Sequence, residues 1–283
     1  ALVATNQEPE LVQPLEPSGF PHKRESPNGQ ISLPATIENV EHMLNAYDIH
    51  VRYDVIKKRL NVTIPGLSGS PENFANTALN SILSLATLNG LSTGQMANYV
   101  DALGDKYQVN PVADWITGNP WDGIDRMAEI YATLHTRDDY PVALKDALLY
   151  RWLLSATAAA LKSSGFYGRG VLTLQGPQGI GKTSWIRRLV PDSMLQDEIV
   201  LLGHHLDPGN KDSLVTAVSH WLVEIGELDS SFKKDIARLK GFLSNSKDKV
   251  RRPYARADSE YQRRSVFAAS VNEENFLEDA TGN

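Results

Sequence analysis

The hydrophobic pattern divides the chain into three stretches with different periodicities. Residues 1–30 carry five of the fifteen prolines, at 9, 14, 17, 21 and 27, and few periodic apolar positions. Such a stretch predicts a disordered or extended lead-in. Over 36–47, Ile37, Val40, Met43, Leu44 and Tyr47 fall on one helical face, with Thr36 and Asn39 as candidate caps. Residues 50–53 and 59–64 read as two short strands, ended by Pro65-Gly66. Two helices follow over 72–88 and 92–103, the second opening on the capping-box outline Ser92-Thr93-Gly94-Gln95. Residues 31–110 thus predict a small, mostly helical domain with a β-hairpin. It reads equally well as a scaffold or oligomerisation element and as a DNA-binding module.

Asn110-Pro111 and Asn119-Pro120-Trp121-Asp122-Gly123 mark a boundary, and 111–283 reads as a second domain. Here apolar runs alternate with helical patterns. Residues 127–136 are helical, and 141–162 form a longer apolar helix through Leu144, Leu148, Trp152, Ala156 and Ala160. A buried strand is expected over 171–174, a helix over 184–189 stopped by Pro191, and a short strand over 198–203. A helix over 212–218, capped by Asp212 or Ser213, precedes an apolar strand within 219–228. A helix over 232–243 and a last apolar strand over 265–270 complete the series. Strands alternating with helices predict an α/β fold: a parallel sheet with flanking helices.

Composition narrows the chemistry. The chain has no cysteine, which excludes disulfides, thiolate metal sites and cysteine nucleophiles and fits a reducing, cytoplasmic setting. No run reaches the roughly 18 apolar residues of a membrane span, and no signal peptide is visible. The seven histidines form no metal-ligand spacing, His204-His205 included. Net charge is −6, but it is uneven. Residues 233–264 hold eleven Lys and Arg against four acids, a local +7, so the remainder carries −13. A concentrated basic stretch in an acidic chain is a candidate polyanion contact. It can equally be a solvated face or a subunit interface.

The sharpest signal is Gly176-Pro177-Gln178-Gly179-Ile180-Gly181-Lys182-Thr183. It has the spacing of a phosphate-binding loop, after a predicted strand and before a helix that begins at Ser184. Glycines let successive backbone N–H groups face phosphates. Lys182 is expected to reach the β- and γ-phosphates of ATP, and the Thr183 hydroxyl to bind Mg²⁺. Downstream, Trp221-Leu222-Val223-Glu224-Ile225-Gly226-Glu227 is an apolar strand ending in carboxylates. Glu224 is assigned to the metal and Glu227 to polarising the attacking water. Asn272, at the tip of the last strand, is a weaker candidate for orienting that water; a turn former reads as well.

Taken in order, these residues resemble the virulence-associated protein E family of phage, satellite and genomic-island proteins. The matching pieces run from Asn110-Pro111-Val112 through Trp121-Asp122-Gly123 with Arg126, the 176–183 loop, and Trp221 to Glu224 with Glu227-Leu228. They continue with Lys240-Gly241-Phe242-Leu243, Arg251-Arg252-Pro253-Tyr254-Ala255-Arg256, Arg264, Asn272 and Asp279-Ala280-Thr281-Gly282-Asn283. Residues 36–109 match loosely. The resemblance implies a P-loop, AAA+-like fold near the superfamily 3 helicases. It implies a ring-forming replicative DNA motor, often linked to a primase domain. A basic hairpin in the central channel would then bring Lys247, Lys249, Arg251, Arg252 and Arg256 to DNA phosphates. Family members continue after Thr-Gly-Asn with Arg-Arg-Phe, so this chain reads as C-terminally truncated. An arginine finger is expected beyond Asn283, with Arg263 or Arg264 as substitutes. Two rivals remain. One is a P-loop kinase or GTPase, although the guanine-reading Asn-Lys-x-Asp is absent. The other is an ATP-gated oligomeric DNA-binding or regulatory protein that does not unwind DNA.

Overall fold

The computed structural model describes residues 12–163, 166–168, 170–226, 236–250 and 259–272. The chain divides into two units, Ala1–Asp54 with Arg59–Val109, and Val55–Lys58 with Asn110–Asn283.

In the first unit, the short strands β1 (Arg24–Glu25) and β2 (Ile31–Ser32) pair antiparallel. Helix α1 (Ile37–Ala46) starts where Thr36 Oγ1 accepts the Asn39 N–H. Strands β3 (His50–Asp54) and β4 (Arg59–Thr63) form the expected hairpin. Helices α2 (Phe74–Leu88) and α3 (Met96–Lys106) follow, and β5 (Gln108–Val109) joins β3 in parallel, giving the order β4-β3-β5. The core gathers Val40, Met43 and Leu44 of α1, Val51 of β3, Ile82 and Ala86 of α2, and Val100 and Leu103 of α3.

Three details differ from the sequence reading. The lead-in contributes to this core from residue 15 onward: Phe20 is 2% exposed and the Leu15 N–H donates to Asn89 Oδ1. Asn39 does not cap a helix. It is buried, and its side chain accepts from the His22 N–H and donates to the His22 and Pro34 carbonyls, pinning the lead-in. The Ser92 capping box is not made. Helix α3 begins four residues later, after Gln95, because Gly94 in the would-be first turn favours a turn over a helix.

In the second unit, Asn110 caps α4 (Pro111–Thr117), and α5 (Met127–Ala132) and the long α6 (Val142–Leu161) follow. Then come β6 (Leu172–Gln175), α7 (Lys182–Arg188), α8 (Ser193–Ile199), β7 (Val200–His204), α9 (Lys211–Val218) and β8 (Leu222–Gly226). The described chain resumes with α10 (Ile236–Ser244), β9 (Lys247–Val250), β10 (Ser259–Gln262) and β11 (Val266–Val271). Strands β6, β7, β8 and β11 form one parallel sheet in the order β6-β11-β8-β7. Glu198 lies in the last turn of α8 rather than opening a strand, and Asn210, not Asp212 or Ser213, caps α9.

The sheet is covered on both faces, and strand alternation says how. Leu222, Val266 and Ala268 join a core with Trp152, Ala156 and Ala160 of α6 and Ile186 of α7. Val223, Ile225, Phe267 and Ala269 join the opposite core with Ala217 and Val218 of α9 and Phe242 of α10. Two indoles tie α6 to the sheet: Trp152 Nε1 donates to the Phe267 carbonyl at 2.8 Å, and Trp221 Nε1 to the Ala156 carbonyl at 2.9 Å. Buried indole N–H groups need such partners. Among the described residues, no helix is long and apolar enough to cross a membrane.

Candidate functional site

The chain leaves β6 through the glycine-rich loop and enters α7 at Lys182. Gly179 and Gly181 have φ of 85° and 94°, in the left-handed region that glycine enters without penalty. Gly181 is the N-cap of α7, and no side chain caps the helix there. Pro177, Gln178, Gly179, Ile180, Gly181, Thr183 and Ser184 are exposed, Ile180 at 62%. The Gly176 N–H donates to the Val271 carbonyl at 3.1 Å, which ties the loop to the end of β11.

Three sequence-distant segments meet here. Lys182 Nζ donates to the Gly176 and Pro177 carbonyls at 2.6 and 2.8 Å and to Asn272 Oδ1 at 2.9 Å. Thr183 Oγ1 donates to Glu224 Oε1 at 2.6 Å. Asn272 follows β11, which pairs with β6 on one side and β8 on the other. The residue proposed to orient water therefore lies at the tip of the strand between the loop strand and the strand of Glu224. This is the carboxyl edge of a parallel sheet, where open α/β sheets place their ligands.

Glu224 is 1% exposed, so its carboxylate must be satisfied by protein donors. Oε1 accepts from both Thr183 and Ser270 hydroxyls. Oε2 accepts the Gly203 N–H at 3.2 Å. That N–H is aimed by an irregularity in the β7–β8 pairing between Leu201 and His204, with Gly203 at φ 62°. The strands lie close here, and a Cβ on Gly226 would meet the Gly203 backbone at 3.0 Å. Sequence reasoning missed both Gly203 and the contact of Ser270. Ser270 lies two residues before Asn272, near the end of β11, and that spacing was the available hint.

A hydroxyl and a buried carboxylate side by side fit a hard divalent cation. Mg²⁺ is ordinarily held by one or two carboxylates, with substrate phosphates and waters filling its octahedron. Among the described residues no group of three or more His, Asp or Glu side chains could hold a metal alone. Thr183 and Glu224 would therefore share Mg²⁺ with ligands from outside these side chains, phosphate oxygens and waters.

Glu227, Arg251, Arg252 and Arg256 lie outside the described residues. Strands β9 and β10 pair antiparallel, with Lys247 opposite Gln262 and Lys249 opposite Glu260. Lys247 is exposed, 3.2 Å from Glu260. Asp248 is buried and bonds Arg263, whose Nε donates to it at 2.7 Å. Arg263 also donates to the Phe242 carbonyl at 3.0 Å and lies over the Phe242 ring at 4.4 Å. Arg264 donates to the Ala160 and Lys162 carbonyls at the end of α6, and burial lowers its pKa. Both arginines are thus engaged within their own chain.

Comparison with known proteins agrees with this architecture. The Virulence-associated protein E-like domain matches residues 116–283. No curated protein matches the sequence. Among solved structures, the fold resembles the apo NrS-1 C terminal region (305–718), with a TM-score of 0.51 and 13% identity over 86% of this chain. The match spans 59% of that chain's length. An A form of the apo NrS-1 C terminal region scores 0.47 at the same identity, covering 83% of this chain and 56% of that one.

Proposed function

The chain belongs to the virulence-associated protein E-like family, and from that membership we propose that its second unit is a Mg²⁺-dependent ATPase driving a motor on DNA. The setting is replication of a phage or other mobile element. The observation that carries this reading is the convergence of Lys182, Thr183, Glu224 and Asn272 at one edge of the sheet. In this reading residues 176–184 cradle the phosphates, and Lys182 turns from its loop carbonyls to the β- and γ-phosphates. Thr183 and Glu224 hold Mg²⁺, which when bound neutralises charge on the phosphate oxygens. Glu227 polarises the attacking water and Asn272 orients it. Catalysis is then positioning and charge stabilisation. Lys247, Lys249, Arg251, Arg252 and Arg256 contact the DNA backbone, in a homo-oligomeric ring that works beside a primase.

The test is steady-state ATP turnover at low salt, with and without single-stranded DNA, on the wild type and Lys182→Ala. The expected result is turnover stimulated by DNA and reduced about 100-fold or more by the substitution. Turnover unaffected by Lys182→Ala rejects the site. Turnover that depends on Lys182 but ignores DNA favours an ATP-gated regulatory protein or a kinase over a motor.

A further inference from the structure

We propose that Ser270 is a positioning residue for the metal-binding carboxylate, holding Glu224 in the orientation that accepts Mg²⁺. The inference rests on the proposed nucleotide site and deepens it.

Ser270 stands opposite Gly226 in the β11–β8 register, and Glu224 lies two residues earlier, opposite Ala268. Glu224 and Ser270 therefore share one sheet face as diagonal neighbours. Gly226 puts no side chain between them. The three donors to Glu224 divide unequally between its oxygens. The Gly203 N–H belongs to the backbone and fixes Oε2. Thr183 and Ser270 both donate to Oε1. Thr183 is itself a proposed ligand, and it rides on α7, which follows the glycine-rich loop. Ser270 is anchored in a strand paired on both sides. It is the one donor to Oε1 with no other role in the site. Its hydroxyl thus fixes the carboxylate torsion while the Thr183 oxygen turns to the cation. Without it, Oε1 loses the partner that does not depend on the loop.

The effect should be selective. Outer partners of a ligating carboxylate set metal affinity, and their loss ordinarily costs about 10- to 100-fold in that affinity. Binding of nucleotide alone, through the loop backbone and Lys182, does not use Ser270.

The experiment is equilibrium binding of a fluorescent ATP analogue, once in EDTA and once across a Mg²⁺ titration, so that no turnover is read. The variants are Ser270→Ala, Ser270→Thr and Ser270→Val. Threonine keeps the hydroxyl, and valine matches its shape without one. For Ala and Val, the Mg²⁺ concentration at half-effect should rise about 10-fold or more, with binding in EDTA unchanged. Thr should lie near wild type. Equal titrations for Thr and Val overturn the positioning role, as does a loss of the same size with and without Mg²⁺. If wild type binds the analogue with no dependence on Mg²⁺, the proposed nucleotide site falls and this role with it. If wild type depends on Mg²⁺ and the valine variant matches it, only the role of Ser270 falls.

Discussion

His220 shows how one side chain couples this fold to pH. Its Nδ1 faces the Thr216 carbonyl at 2.8 Å, so that nitrogen carries the proton. Lys57 Nζ lies 3.2 Å from Nε2, which is then left as an acceptor. Burial, chiefly, pushes the imidazole pKa from 6.5 down to about 4, and the Lys57 charge adds to the shift while the Thr216 carbonyl opposes it. Between those two values the unfolded chain binds a proton that the folded chain refuses. Stability therefore rises with pH across this window and is lost as pH falls from 6.5 towards 4. The full shift would be worth about 3 kcal/mol. The ring is half-buried, so solvent screening reduces this to about 2 kcal/mol. Urea unfolding at pH 7 and at pH 4.5 should show that loss, and His220→Gln should remove most of it. An unaltered pH dependence in the variant would assign the acid sensitivity to other groups.

At the scale of elements, the β9–β10 pair is fastened to the rest of its unit through one buried ion pair. A two-stranded ribbon is marginal alone. Asp248 turns inward from β9 to Arg263, which reaches the Phe242 carbonyl of α10 and lies 5.7 Å over the Phe267 ring of β11. Removing one partner of a buried ion pair leaves an uncompensated charge and costs about 3–5 kcal/mol. Asp248→Ala should therefore lower the chemical-denaturation stability by about that much. The double change Asp248→Leu with Arg263→Met should recover a large part, because a packed apolar pair escapes the desolvation penalty. Equal losses in the single and double variants would refute the ion-pair account. This fastening also marks the limit of what was legible in the sequence. The loop at 176–183, the apolar strand around Glu224 and the last strand before Asn272 were readable because each is a local pattern of spacing and alternation. The inward turn of Asp248, within a run read only for its net positive charge, was not. Nor was the bond from Ser270 to Glu224, since both depend on which strands become neighbours and in what register. Phe20 misled for the same reason: a proline-rich stretch carries little periodicity, and one aromatic found a core built by residues far along the chain.

At the scale of the whole molecule, charge separation should govern any contact with nucleic acid. A chain with −6 overall repels DNA from most of its surface, so binding has to be confined to the basic stretch. Lys247, Lys249, Arg251, Arg252 and Arg256, one contact each, would neutralise five phosphates. Each contact on a single strand contributes about −0.7 to the slope of log Kobs against log salt. Five such contacts give an expected slope per chain of about −3.5, with little dependence on base sequence. Arg251→Ala with Arg252→Ala should flatten it by about 1.4 and weaken binding evenly across sequences. Fluorescence anisotropy of a labelled oligonucleotide across a salt series measures both quantities. A slope left unchanged by the double substitution would move the contact to other residues and make Arg251 and Arg252 a subunit-facing or solvated charge.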